Sequence, residues 1–176
     1  MDETTAEALI LAINALGAGV LLFIAGVIQK IMNDMDDPAF RWFLNHLDRS
    51  AMSNSLAVTV ATLPIIAAVP YFLVYGFGHW WFTAGFAAWL VGSAITKITN
   101  MPVYTWVGNP DNTDSGELQR QRRRLQLGNN LRAWLALASA VLMACQFGVR
   151  DVVIVALASA VVAVPLTWLA HKYIPS

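Results

Sequence analysis

Long apolar runs alternate with short polar connections along the chain, and each run predicts a helix. The first occupies residues 8–31, with Asn14, Gln29 and Lys30 as its polar members. At ~1.5 Å of rise per residue it crosses a ~30 Å hydrocarbon core. Residues 1–7 ahead of it are acidic, whereas a signal peptide needs a basic start and a shorter apolar centre, so this is a retained helix. Asn14 is read as an interhelical hydrogen-bonding residue, and Ala15, Gly19 and Gly26 as small residues admitting close helix contact. Further runs at 55–75, 82–99, 131–149 and 152–170 complete five expected spans. Pro64 and Pro70 kink the second or widen a cavity beside it. Phe77-Gly78-His79-Trp80-Trp81 reads as a tight turn with aromatic side chains at headgroup level, His79 being interfacial. Residues 148–151 are so few that the last two spans must be antiparallel neighbours.

Between the first two spans the pattern becomes amphipathic. Asp36-Asp37-Pro38 has carboxylates and a proline where a helix begins. Phe40, Phe43, Leu44 and Leu47 then share one face, predicting a short helix on the membrane surface. Asn45, His46, Asp48 and Arg49 occupy its other sides.

The stretch 93–132 differs from the rest. Ser93, Thr96, Lys97 and Asn100 stand at i, i+3, i+4 and i+7, a polar stripe on an otherwise apolar helix. The pattern predicts a break at Met101-Pro102, a basic loop, and a re-entry into helix through Asn129, Asn130 and Arg132. Polar groups at both ends of that loop mark a site at the membrane boundary.

Composition agrees with a bilayer environment. The chain is 57% hydrophobic and 12% charged, with a mean hydropathy of +0.56. Five spans with the N-terminus outside put Lys30, Arg41, Arg49, Lys97, Arg120, Arg122, Arg123, Arg124, Arg132 and Lys172 inside, leaving Arg150 outside. That asymmetry is a positive-inside pattern. The expected fold is all-α: one domain, 1–176, a polytopic transmembrane helical bundle of four core helices plus a fifth C-terminal span, in a bacterial inner (plasma) membrane. Topology and headgroup contact account for Arg120–Arg124, and no nucleic acid is expected as a partner. The single Cys145 can form no intrachain disulfide.

Several chemistries are excluded by missing motifs. The chain has no Walker loop, dinucleotide fingerprint, HExxH or CxxC. Its three histidines, His46, His79 and His171, lie near span boundaries, too few for a histidine-box hydroxylase and misplaced for a transmembrane haem. What remains is the constellation of Lys97, Asn100, Asn129, Asn130 and Arg132, with Asn129 and Arg132 at i, i+3 on one face. Asn100 precedes a proline, which frees backbone carbonyls.

Asn100-Met101-Pro102, followed by Asn129-Asn130-Leu131-Arg132, resembles the anthrone oxygenase family of small membrane proteins, whose pattern is Asn-x-Pro, then a Trp, then Asn-x-x-Arg. The resemblance extends over about the first 148 residues, including the small-residue first helix and the Asp-Pro connection. The chain departs from that pattern in two ways: the tryptophan expected a few residues before Asn129 is absent, with Leu125 or Gln126 near its place, and a fifth span is appended. The resemblance implies a membrane oxygenase or oxidase that uses dioxygen as co-substrate, without an organic cofactor, on a hydrophobic phenolic or polyketide-like molecule. Arg132 and Lys97 would then hold an oxyanion in a low-dielectric pocket. Asn100 and Asn129 would donate to its oxygens, with Asn130 beside them. His46 would serve as general base with Asp48 orienting it, and Tyr104 and Trp106 would stack on the rings. Two alternatives stay open: a metal-dependent oxidase built on His46 with Asp34, Asp36, Asp37 or Asp48, and a non-catalytic membrane carrier or subunit for a lipophilic ligand. Beyond the lipid bilayer and the small molecule, a second copy of the chain is a possible partner.

Overall fold

Polar anchors at three levels set how these helices meet. The computed structural model describes residues 2–173, and the described chain is helical, without strands. Its six helices are α1 (Glu3–Asp34), α2 (Asp37–Ser53), α3 (Ser55–Tyr75), α4 (80–108), α5 (Ser115–Cys145) and α6 (Val149–Tyr173). Side chains at 168–173 fall outside the described set, so the readings of His171 and Lys172 lie outside the described residues. Tyr71 near the end of α3 meets Glu3 and Glu7 at the start of α1. His79, just ahead of α4, meets the same Glu7. At the other end, Gln29 of α1 meets Asn129 of α5, and Asn129 meets Asn100 of α4. So α1 and α4 run one way, and α3 and α5 the other.

Helix contact inside this assembly depends on small residues. Gly85 of α4 lies against α5 so closely that a Cβ there would meet Met143 Cγ at 2.6 Å and the Ser139 carbonyl at 2.7 Å. Such approach is how apolar helices associate where the hydrophobic effect between them is weak. On α1 the buried stripe is Ala6, Glu7, Ile10, Asn14, Gly17 and Ala18. Asn14 fixes that phase: its amide donates to Ser139 Oγ at 2.7 Å, and a buried carboxamide without a partner would be costly. Ala15, Gly19 and Gly26, expected to mediate contact, lie instead on exposed faces, with nothing within 4 Å of a Cβ built at Gly19 or Gly26.

The stretch expected to break and loop does neither. Helix α4 continues through Pro102 to Gly108 by way of a π-turn at Thr96–Asn100, and α5 begins at Ser115, capped by Asp114, leaving only 109–114 as a connection. The wider turn absorbs the clash that proline imposes on an α-helix. Ile98, four residues before Pro102, has a carbonyl that Pro102 cannot supply with an N–H. Arg124 Nη2 donates to it at 2.6 Å.

Helix α2 starts where its acidic-proline signal predicts: Asp36 accepts from the Ala39 N–H at 2.8 Å. Its apolar face, expected on the membrane surface, is covered by protein. Phe40 and Leu44 join Met32, Val103, Val107, Leu118 and Leu125 in one core, because the helical 101–108 and 115–128 segments supply a wall that a loop could not. Two further cores sit along the bundle, one around Ala18, Trp89 and Ala136 and one around Ile10, Tyr71, Phe82 and Met143.

Many large apolar side chains face outward. Leu16, Val20, Phe23, Ile66, Leu73, Val91 and Trp134 are all exposed, as are the described residues of α6 apart from Val152. Two helical stretches, Glu3–Asp34 and Val149–Thr167, are long and apolar enough to cross a membrane.

Candidate functional site

The polar constellation forms where two π-turns pack against α5. One, Ile24–Ile28, immediately precedes Gln29; the other, Thr96–Asn100, ends on Asn100. Turns of this kind rotate the side chains that follow and occur often at functional sites. Here they aim Gln29 and Asn100 at Asn129 between them.

The result is a chain of buried hydrogen bonds across three helices. Asn129 Nδ2 donates to Gln29 Oε1 at 2.7 Å, and Asn100 Nδ2 donates to Asn129 Oδ1 at 2.8 Å. Thr99 Oγ1 donates to Asn100 Oδ1 at 2.8 Å, and Gln29 Nε2 to Asn33 Oδ1 at 2.9 Å. Gly128 makes room, since a Cβ there would collide with Asn100 Oδ1 and Thr99 Oγ1. These carboxamides satisfy one another, which rigidifies the junction.

Arg132, one turn beyond Asn129, is different. It is half-buried, its Nη1 makes a long 3.4 Å bond to Thr96 Oγ1, and its Nε is buried without a partner. Tyr104 lies close enough to interact with Arg132 and Asn100. Asn130 is half-buried on the adjoining face of α5 and takes no part in the hydrogen-bonded chain.

The remaining expected site residues lie elsewhere. Lys97 is exposed, turned from Asn100 by the π-turn, and lines an open groove of about 550 Å³ with Pro102, Thr105, Trp106 and Asn112. Trp106 is half-buried, with the Arg41 guanidinium 5.0 Å from its ring centroid. His46 is exposed on α2; its Nδ1 pairs with the Trp42 carbonyl at 2.8 Å and its ring rests 4.2 Å from that of Trp42. It meets neither the asparagines nor Asp48, so the expected base is not brought to the expected site.

Two features escaped the sequence reading. Arg122, within the basic run assigned to topology, is buried and donates to the Met32, Met35 and Asp36 carbonyls, each at 3.0 Å. It also pairs with Asp37 at 3.1 Å and lies 4.0 Å over the Phe40 ring, closing the end of α1. At the far end of the bundle, buried Glu7 accepts from Tyr71 Oη at 2.7 Å and pairs with His79 Nδ1 at 2.6 Å, with Glu3 Oε1 3.4 Å from the same nitrogen. The i, i+4 spacing of Glu3 and Glu7 was the available signal. His79 titrates above its ordinary value because it hydrogen-bonds to the Glu7 carboxylate. Among the described residues this is the one group of three His, Cys, Asp or Glu side chains close enough to share a metal ion, and His46 belongs to none.

No protein family, curated protein or solved structure matches the chain.

Proposed function

We propose that the protein is a polytopic membrane oxygenase: four core helices plus a fifth C-terminal span, N-terminus outside, acting with dioxygen on a hydrophobic phenolic or polyketide-like molecule. The membrane placement draws on inverted polarity. Asn14, Gln29, Asn100, Asn129 and Ser139 are buried, while many leucines, valines and isoleucines face outward. Such an exterior belongs in lipid rather than water. The basic residues at the α4–α5 end fit a cytoplasmic side.

The observation that carries the chemical reading is Arg132. A half-buried guanidinium with one long hydrogen bond and an unpartnered Nε is a donor set awaiting an acceptor. An enolate or phenolate oxygen is such an acceptor, and its charge is worth most to Arg132 in a site shielded from water. Oxidation of an anthrone-type methylene balances without a reductant: CH2 and O2 give C=O and H2O. The substrate carbanion supplies electrons to dioxygen, a C–O bond forms, and O–O cleavage releases water. In this scheme Arg132 holds the oxyanion, the Asn100–Asn129–Gln29 chain fixes the helix that carries it, and Tyr104 replaces His46 as the nearby titratable group.

The test is dioxygen uptake by the purified protein with anthrone and related phenols, with ¹⁸O₂ tracing one oxygen into the product. Turnover that falls about 100-fold or more in Arg132→Ala supports the reading. Ligand binding that depends on Arg132 without any oxygen consumption overturns it in favour of a carrier.

A further inference from the structure

The Glu3–Glu7–His79 cluster is the second place where polar groups gather in this apolar molecule, and it serves no purpose in the chemistry above. It lies at the opposite end of α1 from Gln29, about 30 Å away at the rise of an α-helix. We propose that these three side chains bind one divalent transition-metal ion of the Zn²⁺, Mn²⁺ or Fe²⁺ class, with Tyr71 orienting Glu7.

The donor geometry supports this. Donors bound about 2.0–2.2 Å from one ion stand roughly 2.9–3.5 Å apart in a tetrahedral or octahedral shell. His79 Nδ1 and Glu3 Oε1 already stand 3.4 Å apart. His79 Nδ1 and Glu7 Oε1 stand at 2.6 Å, a hydrogen bond whose proton the ion would displace, opening the pair by a few tenths of an ångström. All three donor atoms fall within 4.8 Å of one another. Fixation is built in as well. Glu7 is 2% exposed and is held by the Tyr71 hydroxyl, the kind of contact that aims a ligating carboxylate. His79 reaches the site from a turn at Gly76, whose φ of 77° is open to glycine.

Charge supplies the second argument. The ion pairs of Glu3 and Glu7 among the described residues are with His79 alone; no lysine or arginine joins them. With a neutral imidazole the cluster carries two negative charges, one on a buried group, and a dication neutralises them. Nitrogen and carboxylate donors suit Zn²⁺, Mn²⁺ or Fe²⁺, and the absence of sulfur from the set disfavours Cu⁺. His79 and Glu3 are each about one-third exposed (38% and 34% for their side chains), which leaves the ion an entry path and room for water ligands.

Titration of the full-length, chelator-stripped protein in detergent with Co²⁺, followed by d–d absorption, tests the assignment. One equivalent should bind and be displaced by Zn²⁺, and His79→Ala and Glu3→Gln should each weaken binding at least about tenfold. Glu3→Gln keeps the test decisive if His79→Ala fails to fold, because Glu3 is at the half-exposed rim; a melting curve reports folding in each. Absence of saturable Co²⁺ binding, or binding unchanged in the folded variants, overturns the proposal. The readout is independent of oxygen uptake, so this site and the Arg132 site stand or fall separately.

Discussion

Asn100 donates to Asn129 across 2.8 Å, tying the end of the π-turn in α4 to the middle of α5. Asn129 passes the connection on to Gln29 of α1, so one carboxamide ties three helices at a single level. The residues that read as a catalytic motif thus form a splice, with its hydrogen bonds spent internally. Arg132, one turn further, keeps donor capacity in hand. The splice sets the rotation of α5, and that rotation turns Arg132 toward Thr96 and Tyr104.

Gly128→Ala should therefore destabilise the fold by about 1–3 kcal/mol, the usual cost of forcing atoms into a filled site. The added methyl would displace the Asn100 carboxamide and the Thr99 hydroxyl. Gly19→Ala is the control: its Cβ meets open space, and alanine favours helix by up to about 1 kcal/mol. Unfolding curves in detergent should separate the two variants in opposite directions. A Gly128→Ala protein as stable as wild type would contradict the close approach.

If Arg132 holds the oxyanion, the cations and bases around it are not interchangeable. Lys97→Ala and His46→Ala should each retain oxygen uptake within about threefold, because both side chains are exposed and neither touches the splice. Arg132→Lys should fall between wild type and Arg132→Ala, keeping charge but losing the planar fork. Initial rates on one phenolic substrate settle the order. Equal losses from Lys97→Ala and Arg132→Ala would move the site to the open groove.

The helical character of the five apolar runs and the start of α2 were legible because each depends on local physics: the patterning of apolar residues, and a carboxylate with proline at a helix N-terminus. That Asn100 and Asn129 gather at one level was legible too; that they bond to each other instead of to a ligand was not. The π-turns were not, because an extra residue per turn leaves no mark on composition, and that residue separates Lys97 from Asn100. Nor could the pattern show that α4 runs through Pro102, since the donor that replaces the missing N–H comes from Arg124, far along the chain. Glu7 looked like part of an acidic tail; only the fold brings Tyr71 and His79 to it.

The raised His79 value has a sign that can be checked in chelator-treated protein. A histidine stabilised as its cation by Glu7 contributes stability that is fully present below its unfolded value of about 6.5. That contribution is lost as pH rises through the higher folded value. Wild type should then exceed His79→Gln in stability near pH 6, and the gap should close at alkaline pH. A gap that widens with pH would mean that Glu7 holds the neutral ring.

Within the basic run at 120–124, topology treats every arginine alike, but the contacts do not. Arg122 supplies three backbone carbonyls and Asp37 while lying over Phe40. Its loss would leave those carbonyls at the α1–α2 junction without donors, at a cost of about 3–5 kcal/mol for breaking a buried charged network. Arg124 serves the single, exposed carbonyl of Ile98, so Arg124→Ala should cost about 0.5–1.5 kcal/mol, the net worth of one hydrogen bond. Arg123 is exposed, and replacing it should change stability by less than about 0.5 kcal/mol. Denaturant unfolding of Arg122→Ala, Arg124→Ala and Arg123→Ala should therefore give a descending series. Three equal values would mean that the run acts only through its charge; a loss confined to Arg122 and Arg124 would mean that these two build this end of the fold.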